Sequence, residues 1–418
     1  MSGANQPRVP DPNGSTKSPK GVGNDPREQN PDVEEAPGKI WFRDLDEAVI
    51  EADRCIQCAS CVAACPSDSI GIDAEEKRPT LVKMCTGCSR CWDFCPRSGL
   101  RYERALELLD QERSLAEPET YAARATDAAA DAGQDGGAVT ALLAELLAAG
   151  EIDGAVVARE SEDEPLRGEA FLATSHADLL EAGGSIYTQT MGLGQIDDLL
   201  ADADLGPNPD LALVGTPCVI QGATALDRYG HEPADPIALT VALMCTRTFE
   251  HERLLSQIES YDVDPEAVEK LDIRDGTLAA FDDDGEILLE TDVEEFDAAG
   301  LRGCDECADF VGGAADISAG NVGSEDGYST VVVRTENGRD VWREAADGLE
   351  TTEIDRPEAL EKIAAWNERR AKSILPREFD PEAEIGITYE RHREAYDGTD
   401  REPQPLNPAR VHQYEEWC

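Results

Sequence analysis

The sequence predicts an α+β protein in two parts, a small cysteine-rich module followed by a larger α/β domain with a mixed sheet. Three observations predict it. Eight cysteines fall between residues 55 and 95 in two identically spaced arrays. From Gly136 to about Glu350, helical stretches alternate with short β-rich runs, as in an α/β domain. The 418 residues are enough for two or three domains with a sizeable core.

Along the chain, residues 1–38 are polar and rich in Pro, Gly and Asn, and are expected to be disordered. No apolar stretch of signal-peptide type opens them. The module is expected over 39–110. Residues 111–134 read as a connector, with the Ala- and Glu-rich stretch Asp110–Gln134 expected to be helical. The second domain is placed over 135–375. It carries helices at Val139–Ala149 and Glu358–Ile374, and strands at Gly154–Ala158, Leu211–Gly215, Ala238–Met244 and Thr330–Arg334. Residues 376–418 are a polar tail.

The formal net charge is −51, from 88 acidic and 37 basic side chains. Only 8 of the 37 are Lys, which leaves 29 Arg. The acidic excess runs through segments with clear hydrophobic periodicity, so it reads as a surface adapted to very high salt, and a haloarchaeal source is expected. At about 1 M salt the Debye length is only about 3 Å, and the self-repulsion is screened. Nucleic acid and anionic membranes are poor partners for such a surface. The most apolar stretch, Ala138–Gly150, is too short and too polar to span a bilayer. A cytoplasmic location is expected.

The first array is Cys55-Ile-Gln-Cys58-Ala-Ser-Cys61-Val-Ala-Ala-Cys65-Pro66, and the second is Cys85-Thr-Gly-Cys88-Ser-Arg-Cys91-Trp-Asp-Phe-Cys95-Pro96. Both have the spacing of bacterial ferredoxins with two 4Fe–4S clusters, in which the fourth cysteine of each run ligates the other cluster. One cluster is therefore assigned Cys55, Cys58, Cys61 and Cys95. The second takes Cys85, Cys88, Cys91 and Cys65. Two residues between ligands let a tight loop present three thiolates to one cube. The prolines end each run by removing a backbone donor. Zinc would use four of the eight thiols and leave the duplicated third and fourth cysteines unexplained.

Four more cysteines lie in the second domain: Cys218, Cys245, Cys304 and Cys307. Cys218 and Cys245 follow predicted strands, and the last two form a lone CxxC. By spacing alone they are either buried free thiols or the ligands of a third cluster. Gly192-Leu-Gly194 lacks a third glycine and a spaced acidic residue, so it is no dinucleotide fingerprint. The five His form no ligand or triad spacing, and the terminal Cys418 reads as an unpaired thiol.

Gly136-Gly137-Ala-Val-Thr140, Gly184-Ser185-Ile-Tyr187, Gly215-Thr-Pro-Cys218 and the Gly303–Gly320 stretch, taken in order, resemble the beta-subunit family of coenzyme F420 hydrogenase and dehydrogenase. The resemblance covers roughly residues 125–375. It implies bound FAD, a third 4Fe–4S cluster on Cys218, Cys245, Cys304 and Cys307, and hydride exchange with the deazaflavin coenzyme F420. Gly136, Gly137 and Thr140 would hold the flavin pyrophosphate at a helix start, where orphan N–H groups bind anions. Ser185, Tyr187, Gly215 and Thr216 would line the flavin or substrate cleft. Where the family commonly has Lys, this chain has Ile186.

The implied function is an oxidoreductase that passes hydride between the deazaflavin and FAD, and single electrons through the clusters to or from a ferredoxin or another oxidoreductase subunit. Two alternatives keep less of it. One is a ferredoxin-dependent flavin reductase of an organic substrate, similar to the plant hydroxymethyl-chlorophyll reductases. The other is a relay subunit without flavin. Arg247 and Arg274, near predicted strand ends, would either contact phosphates or pair with carboxylates.

Overall fold

A computed structural model describes residues 41–109, 114–228, 230–231 and 234–374. The expected disordered 1–38 segment, the 376–418 tail, His392, His412 and Cys418 lie outside the described residues.

The cysteine module opens with α1 (Phe42–Leu45), which runs on into a π-helical turn to Ile50. Each array leads into a one-turn helix, α2 (Ser60–Ala63) and α3 (Arg90–Asp93). An antiparallel pair lies between them, β1 (Ile70–Ile72) and β2 (Pro79–Leu81), and α4 (Tyr102–Leu108) closes the module. Its small core is built on Phe42, Leu45, Val49, Ile70 and Trp92.

The strand β3 (Ser114–Ala125) corrects the helix expected over Asp110–Gln134. Ala and Glu favour helix locally, but β3 is hydrogen-bonded on both sides within the sheet, and tertiary pairing overrides propensity. Pro118 was the readable signal against a helix. It falls where the register with the neighbouring strand shifts, a position that needs no ladder donor.

The rest of the domain follows in order: α5 (Ala138–Ala149), β4 (Gly154–Glu160), β5 (Gly168–Ala173), α6 (His176–Glu181), β6 (Leu211–Gly215), α7 (Pro217–Arg228), β7 (Ile237–Leu243), α8 (His251–Glu259), a three-stranded antiparallel meander of β8 (Lys270–Arg274), β9 (Thr277–Phe281) and β10 (Ile287–Asp292), then β11 (Ile317–Gly320), β12 (Ser329–Thr335), α9 (Glu336–Glu344), β13 (Leu349–Thr352) and α10 (Pro357–Ile374). The main sheet is eight-stranded and mixed, in the order β13-β3-β12-β11-β7-β6-β4-β5. The expected helices and strands of this domain match α5, α10, β4, β6, β7 and β12 to within a few residues.

Both faces of the sheet are covered, and the apolar runs of the central strands reflect that. Ala155, Val157, Ala212 and Val241 face the core shared with α5 and α9. Val156, Leu211, Leu213 and Ala242 face the other way, onto α7 and onto Ile56, Phe94, Leu100 and Leu108 of the cysteine module. Module and sheet therefore share one core. Their approach is set by glycines. A Cβ on Gly222 would lie 2.0 Å from Ser60 Oγ, one on Gly194 would lie 2.9 Å from the Cβ atoms of Ala59 and Val62, and one on Gly303 would lie 2.1 Å from the Arg54 carbonyl oxygen.

At the junction, Arg54 Nε and Nη2 donate to Glu306 Oε1 and Oε2 at 3.1 and 3.2 Å. The two side chains are 0% and 1% exposed. Arg54 also donates to the carbonyls of Ala48 and Arg97, at 2.9 and 2.6 Å. Glu306→Ala would strand a buried guanidinium. The expected loss is about 3–5 kcal/mol, read as a lowered midpoint in chemical denaturation, with much of it recovered in the double variant Arg54→Met, Glu306→Leu.

Asp46, in the π-helical turn, has its carboxyl pushed up to about 6 by burial and then by Glu51. The folded state thus holds this proton more tightly than the unfolded chain. The matching stability is present below about pH 4 and is lost as pH rises to about 6. Asp46→Asn is expected to raise the denaturation midpoint at pH 7.5 and to leave it nearly unchanged at pH 4.

Candidate redox site

The two arrays fold alike. Gln57 and Ala59 in the first loop, and Gly87 and Ser89 in the second, all have left-handed backbone, with φ between 53° and 69°. For a non-glycine residue that conformation costs on the order of 1 kcal/mol. It is held because it turns amides toward the thiols. Gln57 N–H donates to Cys55 Sγ at 3.4 Å and Gly87 N–H to Cys85 Sγ at 3.3 Å. The fourth cysteines are treated likewise. Ser69 N–H donates to Cys65 at 3.2 Å and Arg97 N–H to Cys95 at 3.4 Å. Such N–H···S bonds stabilise sulfur carrying negative charge.

Cys55, Cys58, Cys61 and Cys95 line one small cavity, together with apolar side chains including Leu45, Val49 and Ile56. Burial pushes the Cys61 thiol far above its ordinary range, and Cys95, Cys58 and Cys55 add to the push. Around Cys91 the same holds, with burial first and then Cys85, Cys88 and Cys65. The fourth cysteine of each array thus sits with the first three of the other. Among the described residues all twelve cysteines are free of disulfides.

The second domain supplies a third group. Cys218 starts α7, with Thr216 Oγ1 at 3.2 Å and the Gln189 amide donating at 3.6 Å. Cys245 follows β7, and its N–H donates to the Phe310 carbonyl at 3.0 Å. Cys304 lies within a 3₁₀ turn over Arg302–Glu306, and Cys307 caps its end. Burial raises the Cys245 thiol most, followed by Cys304 and Cys307. For Cys218, burial is followed by Cys58 of the module, and Cys307 and Cys304 also contribute. Cys218 and Cys304 thus share one buried core with Cys58 of the first array, and Cys304 and Cys307 act on both Cys218 and Cys245. Helix α10 closes over them, with Arg370 donating to the carbonyls of Thr246 at 2.8 Å and Cys304 at 3.0 Å.

The residues expected around a flavin share one edge of the sheet. β3 and β11 are both antiparallel to β12, and β11, β7, β6 and β4 are mutually parallel, so five strands point one way. Gly136 and Gly137 follow β3, Thr216 follows β6 and Cys245 follows β7, all at the carboxyl edge, where open α/β sheets bind ligands. The two glycines have φ of +74° and +65°. A Cβ on either would strike the chain's own carbonyls, Gly327 O at 2.5 Å or Ala129 O at 1.8 Å. Self-packing therefore requires glycine here, whatever binds. Thr140 is half-buried in the first turn of α5, whose N-cap Gly137 provides no side-chain cap.

Ser185 is exposed, and Ile186 packs where a Gly168 Cβ would come within 2.8 Å of it. Tyr187 is a pin. Its hydroxyl accepts from Gln134 Nε2 and from Ile273 N–H, both at 3.1 Å, and burial pushes its phenol well up. Gly215 sits against Val219. Both candidate arginines are taken by carboxylates: Arg247 by Asp297 and Asp305 at 2.5 and 2.8 Å, Arg274 by Asp135 and Asp326. His251 accepts from Arg167 and donates to the Pro165 carbonyl, a structural role.

A family model described as the coenzyme F420 hydrogenase/dehydrogenase beta subunit, N-terminal part, matches residues 120–197, and its C-terminal counterpart matches 209–357. A 4Fe–4S dicluster domain matches 48–100. The coenzyme F420 hydrogenase subunit beta of Methanothermobacter thermautotrophicus is 32% identical over 268 residues, covering 62% of this chain and 93% of that one. The chain belongs to the coenzyme F420 hydrogenase/dehydrogenase beta-subunit family. The coenzyme F420-dependent sulfite reductase of Methanocaldococcus jannaschii is 30% identical over 346 residues, 79% of this chain but 51% of that protein. A chain in the structure of the F420-reducing NiFe hydrogenase complex from Methanosarcina barkeri matches with a TM-score of 0.58 and 28% identity, covering 63% of this chain and 92% of that one.

The dicluster match encloses all eight module cysteines, and the two beta-subunit matches enclose every other candidate residue. Sequence reading missed Gln189, which bridges Thr216 and Cys218, and the junction residues Arg54, Arg97 and Glu306. It also missed a cleft of about 700 Å³ between module and domain, walled by Cys55, Gln57, Thr188, Gln189 and Arg253. No local pattern marks them. Each acquires its setting from a partner far away in the chain.

Proposed function

We propose that this chain carries electrons between the deazaflavin coenzyme F420 and a partner protein, by way of FAD and three 4Fe–4S clusters. The observation that carries the reading is the continuity of the three thiol groups. Cys61, Cys91 and Cys95 share the core of the module, and Cys58, Cys218 and Cys304 share the core between module and sheet. The family membership supports the coenzyme, and the dicluster match supports two of the clusters.

A flavin supplies the conversion between paired and single electrons, and the clusters supply single-electron relay. In this reading Cys55, Cys58, Cys61 and Cys95 hold the first cluster, Cys65, Cys85, Cys88 and Cys91 the second, and Cys218, Cys245, Cys304 and Cys307 the third. The carboxyl edge suits a flavin beside the third. The first-turn N–H groups of α5 have no side-chain cap to compete with a pyrophosphate. Thr216 and Gln189 offer hydrogen bonds next to Cys218, and Leu243, 38% exposed at the end of a central strand, offers an apolar surface. Ser185 faces solvent on a segment that Tyr187 pins to the β8 hairpin. Ile186 favours a second reading, in which an uncharged organic substrate takes the place of the anionic deazaflavin.

Protein prepared anaerobically in high salt should contain about 12 iron atoms and one FAD per chain, and its cluster absorbance should bleach on adding reduced coenzyme F420. Bleaching with reduced ferredoxin alone would move the substrate to the organic class. About eight irons without flavin would overturn the proposal. Cys245→Ser should lower iron to about eight while the dicluster spectrum persists. Cys95→Ser should disturb the same cluster signal as Cys55→Ser, and Cys65→Ser the same signal as Cys85→Ser.

A further inference from the structure

The junction between the module and the sheet holds three charged side chains whose accounts do not balance. Arg54 and Glu306 neutralise one another in the bidentate pair. Arg97 is left over. It is 7% exposed, makes no ion pair among the described residues, and has a buried Nε without a hydrogen-bond partner. A buried cation with no anion is costly, and chains rarely keep one without a counter-charge. The side chain lines the cavity formed by Cys55, Cys58, Cys61 and Cys95. Its own N–H donates to Cys95 Sγ, and its carbonyl is held by Arg54 at 2.6 Å, which fixes it in place. After burial, the groups that act on it most strongly are Cys307, Glu306, Cys304 and Cys218. Toward the first group, Arg97 favours the charged form of Cys58 and shares its cavity.

We infer that Arg97 is the internal counter-cation of the first and third thiol groups, holding their clusters at higher reduction potential than the bare thiolate sites would have and offsetting the repulsion between electrons on the two. The inference rests on the proposed third cluster for half of its content. A thiolate-bound cluster is anionic, and each added electron deepens that charge. A fixed cation in a dry interior, where screening is weak, therefore favours the reduced form. The second cluster, whose thiols do not line the cavity that Arg97 lines, is an internal control. Arg97 is a positioning residue in this account and exchanges neither proton nor electron.

The test is a potentiometric titration followed by electron paramagnetic resonance on wild type, Arg97→Gln and Arg97→Lys, with iron counted in each. In Arg97→Gln the reduction equilibrium of the first and third clusters should fall at least tenfold, which is 59 mV for a one-electron couple. The second cluster should not move, and Arg97→Lys should keep the wild-type values. If Arg97→Gln cannot assemble its clusters, full iron with wild-type potentials in Arg97→Lys still supports the inference, because charge rather than shape is then what the site requires. Full iron and unmoved potentials in Arg97→Gln would overturn it. So would equal iron loss in both variants, or an equal shift of all the clusters. Should wild type hold only about eight irons, the third-cluster reading fails by itself, and the first-cluster shift in Arg97→Gln still decides the role of Arg97.

Discussion

Arg54 and Glu306 come from opposite sides of the junction between the cysteine module and the α/β domain. Their buried pair, with the glycines at 194, 222 and 303, sets how closely the two parts approach. Electron relay between clusters depends steeply on separation, so this contact governs the rest of the site. A side chain at any of the three glycines would meet module atoms and push the parts apart. Module and sheet share a hydrophobic core across the same surface, so the dicluster part is a layer of the domain and not a tethered bead.

The direction of the strands is the second constraint. Because β3 and β11 both run antiparallel to β12, the loop that follows β3 returns to the same edge as the loops after β6 and β7. Motifs more than 100 residues apart in sequence, Gly136-Gly137 and Cys245, thereby end at one rim. The same rim carries the third thiol group, and the module lies on the adjacent face. A two-electron carrier at the rim would have a single-electron acceptor beside it.

Charge is handled differently inside and outside. The surface carries a large acidic excess, and its arginines are mostly spent on carboxylates, as Arg247 and Arg274 are. Around the thiols the sign reverses. Inward-turned amides, Arg97 and Arg370 gather there, the arrangement that anionic clusters need. Few carboxylates are buried near them. Glu306 is matched by Arg54, and Asp309 accepts from Gln221 and from the amides of Gly312 and Gly313.

The sequence by itself determined the cysteine arrays and the central strands. Ligand spacing is a local property, and a strand buried on both faces shows as an unbroken apolar run. It also marked Gly136-Gly137, though for a reason the structure changes: the glycines are demanded by left-handed backbone and by carbonyls of the same chain. Tertiary structure alone decided that Ser114–Ala125 is a strand, because its Ala and Glu favour helix until β12 and β13 flank it. It alone brought Cys218 beside Cys58, paired Arg54 with Glu306 across 252 residues, and left Arg97 between two thiol groups. Those contacts arise from packing between distant segments, and neither periodicity nor spacing carries them.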